Sequence, residues 1–224
     1  MTKKVFIGVG HGGSDAGAVA NGFKEKDLNL SIALACQAEL SRHGVSVLIS
    51  RTKDENDDLT ERIKECNAFK PDLALDIHNN AGGGDGAEVF HTIGGGTGKT
   101  LALNILDEIV KIGQNSRGVK TKVNSSGTDY FGFIRQISAP AVIVESAFLD
   151  NKTDIQIIDT EAEQKTMGIA IAKGVLKTLG IAWIAPEVTN DKWYRVQVGA
   201  FRSRENAENL MKKLKSAGYE AFIV

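Results

Sequence analysis

Apolar residues recur along this chain in two alternating rhythms. Short runs of strand length, "KVFIGV", "VSVLIS", "DLALDI", "GAEVF" and "PAVIVE", are separated by longer stretches with apolar residues on one helical face. Those stretches run from about Glu25 to His43, Leu59 to Phe69, Lys99 to Ile112 and Glu161 to Leu179. Strands alternating with helices predict an α/β fold, a mostly parallel sheet with helices on both faces. Gly44 and Gly180 stand where helices stop, and Asp58 with Glu61 has the spacing of a capping box. "IAWIAPEVTND" breaks the rhythm with a proline and polar residues, which predicts a linker over 181–191 after a domain over 1–180. Beyond it, "WYRVQVGAF" alternates like a strand, "SRENAENLMKKLKSAG" reads as a helix capped by Ser203, and "YEAFIV" reads as a second strand. This β-α-β unit over 192–224 is shorter than chains that usually fold alone.

Composition sharpens that division. At 224 residues and 42% hydrophobic, the chain is large enough for an enzyme-sized core. The net charge of −1 conceals an asymmetry: residues 192–224 carry seven Lys/Arg against three Asp/Glu, and residues 1–191 carry 20 against 25. A basic tail on an acidic body is expected to meet something anionic. Cys36 and Cys66 lie in predicted helices without CxxC spacing and read as small core residues rather than a disulfide or thiolate site. The N-terminal apolar run is only "VFIGVG" and passes into polar, Gly-rich sequence, so no signal peptide is expected, and no segment is long enough to insert in a membrane. The expectation is a soluble chain made in the cytoplasm, with no nucleic-acid partner.

"IGGGTGKT" ends in the Gly-Lys-Thr of a nucleotide-binding loop. Such a loop needs Gly-x-x-x-x-Gly-Lys-Ser/Thr, and counting back from Gly98 places Ile93 at the first glycine. A β-branched residue resists the wrap. A nucleotide-binding protein acting through Gly94 to Thr100 stays as an alternative, beside a plain Gly-rich turn feeding a helix.

Ligands of open parallel sheets bind outside the carboxyl ends of the strands. The first strand here ends in His11, "DLALDI" in His78, "VSVLIS" in Arg51 and "PAVIV" in Glu145. Glu25, after a Gly-rich loop, can fold back to the same rim. A hydrolytic zinc site keeps three protein ligands from His and Asp/Glu, leaving one position open, which His11, Glu25 and His78 satisfy. Glu145 is then the carboxylate placed to move the proton.

"FIGVGHGGSDAGAVANGFKEKDLNLSIALA", "VLISRTKDENDDLTERIKECN", "DLALDIHNNAGG" and "AVIVESAFLDN" resemble, in order and spacing, the zinc-dependent N-acetylmuramoyl-L-alanine amidases of the type 3 family, over about residues 3–180. The resemblance implies that His11, Glu25 and His78 hold Zn2+ and that Glu145 is the catalytic glutamate. It also implies cleavage of the amide between the lactyl group of N-acetylmuramic acid and the L-alanine of the stem peptide. Where the family commonly has Asp-Pro-Gly before its His-Gly-Gly, this chain has Val9 and Gly10, and the more usual Ser-Ile-His is Asp76-Ile77-His78. Asp76 alternates with His78 along a strand and should share its face, where it can tune or crowd the site. Asn80 and Glu88 also match family positions and can serve substrate or ligand orientation, with turn capping and a solvated strand end as the plainer roles. Among Arg51, Arg62, Arg117 and Arg135, Arg135 is placed closest to the cleft as a holder of stem-peptide carboxylates. His43 and His91 are taken as structural. The acidic run "DENDD" lacks the glycine of a calcium loop and reads as a helix cap.

The tail resembles the start of a SPOR repeat, a peptidoglycan-binding module, at Tyr194, Val196, Gln197, Gly199, Ala200 and Phe201, but at about half its usual length. Exposed apolar faces would remain, so a homodimer sharing one wall-binding sheet through residues 192–224 is expected. The resulting expectation is a peptidoglycan amidase acting on the wall after holin-assisted release or lysis, as an endolysin or a mother-cell autolysin. A non-catalytic wall-binding protein and a zinc peptidase on a similar fold are the remaining alternatives.

Overall fold

The computed structural model describes residues 2–186 and 196–223. These form two compact units, Met1–Ile184 and Ala185–Val224.

In the first unit a six-stranded sheet has the order β4-β1-β5-β8-β6-β7. The strands are β1 (Lys4–Val9), β4 (Ser46–Ile49), β5 (Leu73–Asn80), β6 (Ala87–His91), β7 (Ser116–Lys120) and β8 (Ala141–Phe148). All neighbours pair in parallel except β6 with β8, which is antiparallel. A small hairpin, β2 (Val19–Ala20) and β3 (Phe23–Lys24), precedes α1 (Glu25–Arg42). The expected α/β sheet is therefore present, and α2 (Leu59–Phe69) and α6 (Glu161–Leu179) span the ranges that the apolar rhythm predicts. Helix α3 begins slightly earlier than expected, at Gly96, and ends at Lys111.

The side-chain period of two sorts the strands between two cores. Val5, Ile7 and Val9 of β1, Leu73, Leu75 and Ile77 of β5, and Val142 and Val144 of β8 join the larger core with α1, α3 and α6. Phe6, Ala74, Ala141 and Ile143 face the other way, toward Ile63 and Cys66 of α2 and Phe133 and Ile134 of α4 (Gly132–Gln136). Helix α1 fits its face by placing Leu28, Ile32, Cys36 and Leu40 four residues apart, all buried. Both cysteines are free and buried, one in each core. On β5 and β8, the parity that carries Ala74 and Ile143 also carries Asp76, His78 and Glu145, so these polar residues rise from the smaller core's face at the carboxyl edge.

Several local expectations change. Asp58 caps α2 through Thr60 N–H, but Glu61 pairs with Lys64 instead of closing a box; the complete capping box is Thr160 with Glu163 on α6. Strand β7, "SRGVK", has no apolar alternation because it is a sheet edge, and α4 and α5 (Lys152–Ile155) are too short to show a period. Ile184 N–H donates to His43 Nε2 and Trp183 Nε1–H to Glu39, so the start of the expected linker lies against α1. Residues 187–195 lie outside the described residues, and with them the latter part of that linker, 187–191, and Trp193, Tyr194 and Arg195.

In the second unit, the helix is present as α7 (Arg204–Ser216), with Ser203 at its N-cap position but making no side-chain cap. Among the described residues neither expected tail strand forms: Val196–Ala200 and Tyr219–Ile223 are in no regular element. A strand needs a hydrogen-bonded neighbour, and two strands around one helix give too small a sheet to hold itself. Among the described residues, no helix is long and apolar enough to cross a membrane.

Candidate metal centre

His11 follows β1 with φ +61, a left-handed conformation that a non-glycine residue adopts only under constraint. The turn throws its ring over the carboxyl edge of the sheet. His78 lies on β5, beside β1, and the two rings meet edge to face with centroids 5.0 Å apart. Gly10 makes this approach feasible, since a Cβ there would lie 2.3 Å from the His78 ring. Glu25, the first residue of α1, enters from the other core's side. His11 Nε2 lies 3.1 Å from Glu25 Oε2, and His78 Nδ1 lies 3.0 Å from Glu25 Oε1. One ligand atom from each residue lies within 4.8 Å of the others, the only such group among the described residues.

Glu25 is held from several sides. Its carboxylate accepts N–H donors from Ala18 (3.0 Å), Asn79 (3.2 Å) and Asn29 Nδ2 (3.2 Å). Burial alone would raise its pKa, but the hydrogen bonds from both imidazoles outweigh it and hold the carboxylate well below the usual range. Each histidine has a second carboxylate behind it. Asp15 Oδ2 lies 2.8 Å from His11 Nδ1, and Asp76 Oδ2 lies 3.5 Å from His78 Nε2. The His11 pKa is raised mainly by Glu25; burial pulls His78 down, yet Asp76 and Glu25 push it well above its ordinary value.

A His11 Nδ1 proton given to Asp15, and a His78 Nε2 proton turned toward Asp76 at the longer 3.5 Å, would leave the opposite nitrogens facing Glu25 acceptor to acceptor. Such a face needs a cation: a proton on each ring or one metal ion shared by all three. Two imidazole nitrogens and one carboxylate oxygen are the donor set of a hydrolytic zinc site, and metal uptake here would release protons.

Glu145 is the register partner of His78 on the neighbouring strand. Its Oε2 is enclosed and has no hydrogen-bond partner. Burial pushes the Glu145 pKa up to about 7, with His78 opposing and Glu25 adding to the rise. A carboxyl group that titrates near neutrality beside a cation site is suited to accept and return a proton.

Residues 5–177 match the family described as N-acetylmuramoyl-L-alanine amidase. The chain belongs to the N-acetylmuramoyl-L-alanine amidase family. A second match, to the SPOR domain, covers residues 172–224. N-acetylmuramoyl-L-alanine amidase CwlM of Bacillus licheniformis is 36% identical over 99% of this chain and 84% of its own length. The endolysin of Bacillus phage SPP1 is 34% identical over 81% of this chain and 68% of its own. Among solved structures, Cwp6 from Clostridium difficile superposes with a TM-score of 0.79 at 39% identity, covering 80% of this chain and 30% of that one.

In this amidase-family chain the other expected site residues separate by position. Asn80 Nδ2 donates to Glu88 Oε1 at 3.2 Å, and Glu88 sits opposite Glu145 on β6. Glu88 Oε2 is taken by Arg117 at 2.7 Å and by Lys120 at 2.5 Å. Arg135 donates to the carbonyls of Asp129 and Tyr130; the groups it touches belong to the loop before α4, and none adjoins the two histidines. Arg51 is buried and donates to four backbone carbonyls, of Val9, Gly10, Lys26 and Lys53, a scaffold role. His43 and His91 bond to backbone groups, as expected of structural residues. Asp15 and Asn29 went unnoticed in the sequence. Each stands four residues after a ligand candidate, Asn29 one helical turn beyond Glu25, and that spacing was the available signal.

The Gly-rich loop is not a phosphate cradle. Because β6 runs antiparallel to β8, His91 pairs with Val142, and the loop leaves the sheet at the edge opposite Glu145. Three of its amides are already used: Ile93 N–H donates to Asp129 Oδ1 at 2.8 Å, Gly94 N–H to Thr92 Oγ1 at 3.3 Å, and Gly95 N–H to Thr92 O at 3.0 Å.

Proposed function

We propose that this chain is a zinc-dependent peptidoglycan hydrolase that cleaves the amide between N-acetylmuramic acid and the L-alanine of the stem peptide. The observation that carries it is the convergence of His11, Glu25 and His78 with Glu145 as the cross-strand neighbour of His78. Zinc held by those three would supply a Lewis acid for the amide carbonyl and bring the pKa of a coordinated water to about 7. Glu145 Oε2 would take a proton from the attacking water and return it to the L-alanine nitrogen as the bond breaks, a transfer that a group titrating near neutrality performs in both directions. Asn29 and the Asn79 amide keep Glu25 oriented, so the site is assembled before substrate arrives.

The test is turbidity loss of purified cell walls, with detection of the newly freed amino group. Wild type should clear walls and free the L-alanine amino group, chelator should stop it and zinc restore it, and Glu145→Ala should be inert. Clearance unaffected by chelator would overturn the proposal, release of a later residue would favour a peptidase, and wall binding without clearance would favour a passive binder.

Under the same proposal the domain over 1–180 carries the reaction, 181–191 links it, and 192–224 binds peptidoglycan as part of a SPOR-type module. Access to the wall would follow lysis or holin-assisted release. The second unit exposes Val196 (82%), Phe222 (72%) and Tyr219 (67%), with Val198 and Phe201, a dense apolar set for so short a chain. Two copies pairing their tails would give both strands neighbours and cover those side chains. Sedimentation of the intact chain should show a dimer, and a monomer at all concentrations would rule this pairing out.

A further inference from the structure

Asp76 is 2% exposed and lies on the strand that carries His78. Its two oxygens each receive a hydrogen bond from Arg62 Nη1, both at 3.0 Å. Arg62 is fixed in turn by Asp57, at 3.0 Å from Nε, and by the carbonyl of Val9, at 3.1 Å from Nη2. Asp57 accepts Ser50 Oγ–H at 2.6 Å, and Ser50 Oγ accepts Val9 N–H at 3.0 Å. A continuous buried network thus ties β1, the segment before α2 and β5 together behind the His78 ring. Room for it comes from β1: Gly8 is in register with Asp76, and a Cβ on Gly8 would lie 2.4 Å from Asp76 Oδ1 and 2.9 Å from Arg62 Cδ.

A buried Arg–Asp pair adds little net stability over an apolar pair of similar size, because desolvating both charges offsets their attraction. What the pair does provide is direction. Asp76 Oδ2 faces His78 Nε2, the nitrogen turned away from Glu25. A carboxylate behind a ligating imidazole selects its tautomer and strengthens the opposite nitrogen as a donor.

We propose that Asp76, held by Arg62, is a positioning residue for the metal centre: it keeps the proton of His78 on Nε2 and leaves Nδ1 as the donor beside Glu25. This inference rests on His11, Glu25 and His78 holding zinc, and the experiment separates the two ideas. Protein stripped of metal is titrated with zinc against a chromophoric chelator, for wild type, Asp76→Asn, and the paired Asp76→Leu/Arg62→Met. The Asn variant keeps shape and loses charge; the paired variant removes both charges of the couple and leaves Asp57 with the Ser50 hydroxyl as its side-chain donor, so the Asn variant carries the test where the paired one does not fold. Zinc Kd should rise about tenfold in Asp76→Asn and toward a hundredfold in the paired variant. In imidazole nitrogen NMR of the zinc-loaded protein, the His78 Nε2 proton should be protected in wild type and exchange rapidly in both variants. A zinc Kd within twofold of wild type in the folded paired variant, or in Asp76→Asn where the paired one does not fold, overturns the role of Asp76 alone. Wild-type protein that takes no zinc overturns the metal centre and this inference with it.

Discussion

The loop from Gly10 to Gly17 leaves β1 at the carboxyl edge of the sheet, whereas the loop from Thr92 to Gly95 leaves β6 at the opposite edge. Both are glycine-rich, follow a strand and lead toward a helix. In the first, glycine clears space for another residue's side chain, and the loop delivers His11 to two carboxylates. In the second, the amides are closed on Thr92 and Asp129, and Gly94 and Gly95 stand in or near open space. Glycine content therefore marks a place where the backbone needs freedom, and strand direction decides whether a ligand can reach it.

This contrast can be tested from strong effects to weak ones. Glu145→Gln should lower kcat by about two to four orders of magnitude while zinc content, read by atomic absorption, stays that of wild type. Gly10→Ala drives a methyl group into the His78 ring, so thermal unfolding should show a loss of about 1–3 kcal/mol together with weaker zinc retention. Gly98→Ala should do the reverse. Its Cβ would meet Ala141 O and Thr92 Cγ2 at 3.6 Å, an ordinary contact within α3, and a gain of about 0.4–1 kcal/mol in urea unfolding is expected with activity intact. Lys99→Ala, finally, should leave wall clearance unchanged and stability within about 0.5 kcal/mol. A clear activity loss there would restore function to the second loop.

Much of this was legible in the sequence because it depends on periodicity. The apolar runs of β1, β5 and β8 and the faces of α1 and α6 reflect burial that any parallel sheet imposes, and strand ends gave His11, His78 and Glu145. Contacts across the chain left less trace. Nothing in "DENDDLTERIKEC" announces that Arg62 reaches Asp76, since that pairing depends on how α2 lies across the sheet. The two departures from the family pattern read separately in the sequence, yet they meet in space. Counting back from His11, the aspartate of Asp-Pro-Gly falls on Gly8, the register partner of Asp76, so a side chain missing from one strand makes room for a carboxylate on the next. The tail strands, absent among the described residues, differ for the complementary reason: alternation shows that a segment can be a strand, and only a neighbour makes it one.

Helix α7 has no fully buried residue. A helix of that length in water is marginal unless something outside it covers its apolar side. Anchoring and ordering of the tail would then be a single event, with the glycan surface or a twin chain completing a shape that the polypeptide encodes only in part. An enzyme so equipped would let go of its anchor point easily and move on, because every attachment gives back some of its free energy to hold that helix in form.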